Sequence, residues 1–180
     1  APQDIKQIYD LCKEKGVLVA MDVSGSFATP FANGNFADIC FASFGHWKII
    51  DHGRGGCISF AQKEMYGEFK TLLSAVSFSE ATSEELSILL NKLDSAQERI
   101  EFLNDERKNI IEYCIREGIK VLHKDAPVGF VVIVKFSSEL EKLKIIGYCT
   151  RNKLEYTLCP REIRVMDDAI SIEVKRLETA

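Results

Sequence analysis

Cysteine pairs, long apolar runs and surplus positive charge are all missing from this sequence. The six cysteines, at 12, 40, 57, 114, 149 and 159, never form a C-x-x-C pair. Most sit in apolar runs such as ADICFAS and GGCISF, where a cysteine behaves as a small hydrophobe. Neither a disulfide framework nor a metal site is therefore expected, and a reducing cytoplasm is the expected location. No apolar run approaches the length of a membrane span, and the N-terminus lacks the apolar core of a signal peptide, so no membrane partner is expected. Lys and Arg number 23 against 27 Asp and Glu, for a net charge of -4 with both signs interspersed. Phosphate-backbone binding usually leaves a basic footprint, so nucleic acid is not expected as a partner either.

What is present suits a globular chain. The 180 residues are 46% hydrophobic and 28% charged, enough for one domain or two small ones with a real core. DIKQIYDLCKEK (4–15) spaces its apolar residues helically and stops at Gly16. VLVAMDV (17–23) and ADICFAS (37–43) read as strands buried on both faces, and CISF (57–60) as a shorter third. From the capping box TSEE (82–85), one long helix is expected to Gly118, with a break near Asn104–Asp105 left open. Its stripe is Leu86, Leu90, Leu93, Ile100, Leu103, Ile110 and Cys114. GFVVIVKF, SSELEKLKIIGYCTRN, LEYTL and AISIEV then read as strand, helix and two strands. The expected fold is α/β: a partial parallel or mixed sheet with covering helices over 1–80, then a long helix and a small α+β domain over 81–180.

Chemistry concentrates in ASFGHWKIIDHGRGG, residues 42–56. Asp22 ends one expected strand, Ser43 ends another, and Lys48 follows in the loop. Open α/β sheets bind ligands at the carboxyl ends of their strands. A carboxylate, a hydroxyl and a lysine gathered there suit a cofactor with a pyridinium nitrogen, a phosphate and an aldehyde. Taken one at a time, each has a plainer explanation: a surface lysine, an Asp in a turn, a serine at a strand end. The glycines of GRGG serve equally to close a hairpin or to let the backbone pass near a cofactor.

The ordered set VLVAMDVSGS, ADICFASFGHWK and GRGG resembles the DegT/StrS-type nucleotide-sugar aminotransferases, which are pyridoxal-phosphate enzymes of fold type I. That family carries an aspartate at a strand end, then S-F-x-x-x-K, then G-E-G-G. The matching residues are Asp22, Ser43 to Lys48, and Gly53 to Gly56. The resemblance implies pyridoxal 5'-phosphate as cofactor, with Lys48 as Schiff-base lysine, Asp22 on the ring nitrogen and Ser43 on the phosphate. Gly25, His46, Gly53 and Gly55 are implied as site-lining. It further implies a nucleotide-linked keto-sugar and an amino-acid donor as partners in a ping-pong transfer. The motifs cover roughly residues 1–60, the carboxyl part of a cofactor domain. A homo-oligomer, or a separate chain supplying the N-terminal half, is therefore expected. Gly25, Gly45 and Arg54 depart from the usual His/Gln, His and Glu of the family. These departures leave open a non-catalytic remnant or subunit that uses the scaffold for association.

Overall fold

A computed structural model describes residues 4–76, 81–126, 129–161 and 164–178. The chain divides into two compact units after Gln97. The boundary expected near residue 80 falls beside residues 77–80, outside those described.

The first unit opens with helix α1 (Ile5–Glu14), capped by Asp4, whose side chain accepts the Gln7 N–H. Gly16 follows at φ +65°, a left-handed conformation that glycine takes without penalty. Strands β1 (Ala20–Asp22), β2 (Ile39–Ser43) and β3 (Gly56–Phe60) form one sheet in that order. The β1–β2 pair is parallel and the β2–β3 pair antiparallel, giving the expected mixed sheet. The buried Asp38 carboxylate sets the start of both parallel strands: it accepts the Val19 N–H and pairs with Lys13. Helices α2 (Lys63–Ser74) and α3 (Ser83–Asp94) follow. Phe60 of β3 meets Tyr66 and Phe69 of α2, so α2 covers one end of the sheet.

Burial on both faces, expected for these strands, is not found. Phe41 is 39% and Ile58 46% exposed, and they lie opposite each other in the β2–β3 register. Three short strands under one helix leave part of a sheet face without cover. The single long helix is also replaced by two. Ser95 caps α3, its hydroxyl bonding the Asn91 carbonyl, and α4 (Ala96–Arg116) begins at the next residue. A serine that bonds a carbonyl four residues back competes with the helix ladder, which favours a break there over Asn104–Asp105. The apolar stripe divides accordingly: Ile100, Leu103, Ile110 and Cys114 are buried, whereas Leu86 and Leu90 are exposed.

In the second unit, α4 leads to a sheet of order β4 (Lys120–Leu122), β5 (Val132–Lys135), β7 (Ala169–Ile172) and β6 (Tyr156–Leu158), antiparallel throughout. Helix α5 (Glu139–Arg151) buries Ile145 and Cys149. Consecutive buried residues of β5 and β7, with Leu103 and Ile110 of α4, make up the core. Burial raises the Cys114 and Cys149 thiols to about 11, so both stay protonated and behave as packing groups. Helix α2 and strand β4 lie outside the elements expected from the sequence. Among the described residues, no helix is long and apolar enough to cross a membrane.

Candidate active site

Parallel pairing carries Asp22 and Ser43 to the same edge of the sheet. Asp22 lies opposite Phe41, so Ser43 stands two residues further along. The Val23 N–H still reaches the Phe41 carbonyl, at 2.9 Å. Beyond that point a side chain continues the ladder. The buried Ser24 hydroxyl accepts the Ser43 N–H at 2.8 Å, and Asp22 Oδ1 accepts the Ser24 N–H at 2.9 Å. The second contact is an Asx turn, the local bond that lets Asp end a strand. The Ser24 hydroxyl, more than its amide or the Lys48 charge, holds the Asp22 carboxyl below the usual range against its partial burial. Asp22 is thus ionised at neutral pH, and one serine ties it to the strand carrying Ser43.

Lys48 belongs to a folded loop between β2 and β3. Phe44, Ile49 and Ile50 are buried, and the Phe44 ring meets Phe27 edge-on at 5.2 Å. The Phe44 N–H donates to the Gly55 carbonyl and the His52 N–H to the Phe44 carbonyl, each at 2.9 Å. Asp51 braces the turn before the lysine: Oδ2 accepts the Trp47 N–H at 2.9 Å, and Oδ1 lies 3.6 Å from His46 Nδ1. Trp47 has φ +64°, so this turn holds a bulky residue in a conformation that bulky residues rarely adopt. Lys48, half-buried, follows directly, close enough for its charge to stabilise the Asp22 carboxylate.

The glycines have separate reasons. Gly53 and Gly55 have φ +82° and +78°. At Gly56 an added Cβ would lie 2.3 Å from the Ala42 carbonyl oxygen, so β3 can approach β2 this closely only without a side chain. Gly45 sits over Ser43, its N–H donating to the Ser43 hydroxyl at 3.2 Å.

A cavity of about 840 Å³ opens on the uncovered part of the sheet. Asp22, Ser24, Ser43, His52, Arg54, Gly55 and Gly56 line it, with Phe41, Ile58 and α3 residues Glu85, Leu86 and Leu89. Lys48, Gly25, His46 and Gly53 are not among the lining residues, and His46 turns toward Asp51 and Gly53 instead. Sequence reasoning missed Ser24 and Glu85. The D-x-S step after a strand and the Thr82/Glu85 capping box are the signals that could have marked them. Among the described residues, no group of three or more His, Cys, Asp or Glu gathers to hold a metal ion.

Comparison with known proteins bears on the family and the fold. The model of the DegT/DnrJ/EryC1/StrS aminotransferase family matches residues 1–117. No curated protein matches. Among solved structures, PseC of Helicobacter pylori, an aminotransferase of pseudaminic acid biosynthesis, is similar at 14% identity and TM-score 0.65 over 96% of this chain. The aminotransferase TlmJ of Streptoalloteichus hindustanus is similar at 15% identity and TM-score 0.69, again over 96%. Spr1654 of Streptococcus pneumoniae, described as a sugar aminotransferase from its likeness to others, is similar at 16% identity and TM-score 0.63 over 96%. This chain covers 58%, 57% and 60% of those three, little more than half of each. At such identities the likeness establishes the fold, that of fold type I aminotransferases.

Proposed function

The chain belongs to the DegT/DnrJ/EryC1/StrS aminotransferase family, and on that premise we propose that it is the lysine-bearing half of a pyridoxal-phosphate-dependent sugar aminotransferase. In this reading residues up to about 80 form the carboxyl part of the cofactor domain, and the remainder the long helical segment and small α+β domain. The residues present suit the cofactor: an ionised carboxylate and a hydroxyl at strand ends line a cavity of about 840 Å³, and the charge of Lys48, in the loop that follows, acts on that carboxylate. When bound, the cofactor supplies an electron sink and carries the amino group between two substrates.

This chain's own residues then have defined tasks. Asp22, kept ionised by Ser24, would hold a proton on the ring nitrogen. Ser43, with the Gly45 amide already on its hydroxyl, offers that hydroxyl to a phosphate oxygen. Lys48 would hold the cofactor through Nζ, and its amine, when free, would move a proton to and from the donor α-carbon. Asp51 keeps the loop in place while it does so. The substrates proposed are an amino-acid donor and a nucleotide-linked keto-sugar, in a reducing cytoplasm, with a second copy or a separate chain completing the site. The exposed Phe41 and Ile58 supply apolar surface for such a partner.

The observation that carries the reading is the Asp22–Ser24–Ser43 linkage beside Lys48. A second reading, a subunit using the scaffold for association, draws support from the cavity lining, which leaves out Lys48. Titration with pyridoxal phosphate, borohydride reduction and mass spectrometry separate the two. Label concentrated on Lys48, and lost in Lys48→Ala, is the expected result. Label scattered over surface lysines, or equal capture by Lys48→Ala, removes the basis for the enzyme reading in favour of the subunit.

A further inference from the structure

Arg54 is the one Lys or Arg among the described residues lining the cavity that also holds Asp22 and Ser43. It stands where the family usually places an acidic residue. Its partner is Glu85 of α3, through Nη2 and Oε1. That carboxylate is itself fixed: Oε2 accepts the Thr82 N–H at 2.7 Å while the Thr82 hydroxyl accepts the Glu85 N–H at 3.2 Å. Glu85 is therefore a rigid post, closing the α3 capping box with one oxygen and steadying Arg54 with the other.

The two partners differ in exposure. The Glu85 side chain is 17% exposed and that of Arg54 74%. A guanidinium has five N–H donors in a planar fork, so one carboxylate oxygen leaves several for a ligand. Exposed ion pairs are weakly held, and a ligand oxyanion displaces or shares them readily. The neighbouring Gly55 and Gly56 bring no side chains of their own. Asp22 would repel an anion at its own end of the cavity, and Arg54 is the one lysine or arginine among the described residues lining it that can attract one.

We propose that Arg54, held by Glu85, receives the oxyanion of a substrate in this cavity, a carboxylate or a diphosphate. The assignment rests on the reading of the cavity as an aminotransferase site. It names the residue that would sort substrates by negative charge.

The test uses the whole chain and two probes, L-glutamate and uridine diphosphate, titrated calorimetrically into wild type, Arg54→Gln and Arg54→Lys. At least one probe should bind, more weakly as salt rises, with Arg54→Gln costing about tenfold or more in affinity and Arg54→Lys recovering part of it. Binding of L-glutamate identifies the donor carboxylate as the source, and binding of uridine diphosphate the nucleotide. Failure of both probes, or equal affinity in Arg54→Gln, overturns the proposal. Cofactor capture at Lys48 is scored separately in the same proteins. Capture without Arg54-dependent binding sinks this inference alone. Arg54-dependent binding without capture keeps the anion site and removes the enzyme reading.

Discussion

Removing the Ser24 hydroxyl tests the core of the candidate site. That hydroxyl accepts the Ser43 N–H and is the largest influence keeping Asp22 ionised. In Ser24→Ala the Ser43 amide, at the end of the central strand, loses its acceptor. A part-buried donor left unmade costs about 1–3 kcal/mol. With a urea slope of about 2 kcal/mol/M, a loss near the middle of that range moves the unfolding midpoint down by about 1 M. The Asp22 carboxyl should at the same time titrate higher, nearer the ordinary range. Its folded value lies below the unfolded one, so Asp22 contributes stability above the unfolded value and loses it as pH falls through the folded value. The gap between wild type and variant should therefore narrow in acid. Ser26→Ala, in the same turn, is the control and should stay within about 0.5 kcal/mol of wild type. Urea unfolding at several pH values and a carbon-detected titration of Asp22 measure both effects. An unmoved midpoint together with an unmoved Asp22 titration would refute the linkage.

Three further substitutions test the packing around the site and the second unit. Gly56→Ala places a methyl 2.3 Å from the Ala42 carbonyl oxygen and should destabilise by about 1–3 kcal/mol or more, whereas Gly67→Ala in α2, with open space around it, should stabilise by about 0.5–1 kcal/mol. Parallel denaturation curves check the pair, and equal midpoints for the two variants would contradict the close β2–β3 approach. In the second unit burial opposes ionisation of Glu173, but Arg164, Lys175 and Ser171 outweigh it and hold the carboxyl below its ordinary range. Arg164→Met should cost about 3 kcal/mol at neutral pH, and less toward pH 4 as Glu173 takes up a proton. A loss independent of pH would show that the guanidinium acts there by packing alone.

The apolar runs and their punctuation already specified much of this fold. Asp22 and Ser43 each closed a legible strand, and a parallel pair must bring two such ends to one edge. Thr82 and Glu85 announced the start of α3 for the same local reason, because a capping box is completed within one turn. Lys48 stood out because its spacing to Ser43 and to Gly53 matched an ordered motif.

What remained hidden depends on partners distant in sequence. Ser24 looked like an ordinary turn serine until β2 arrived to present the Ser43 amide to it, 19 residues on. Arg54 read as a substitution in a glycine motif, and only the folded unit set it against Glu85, 31 residues away in sequence. An uncovered sheet face was expected from the apolar strands, but which residues stay exposed, Phe41 and Ile58 on the sheet and Leu86 and Leu90 on α3, was not legible, since an apolar pattern states which face seeks cover and not whether this chain supplies it. Local bonds and periodicity are written in neighbouring residues. Burial, pairing and charge at the site are decided by which surfaces the tertiary structure brings into contact, and those contacts belong to no single stretch of sequence.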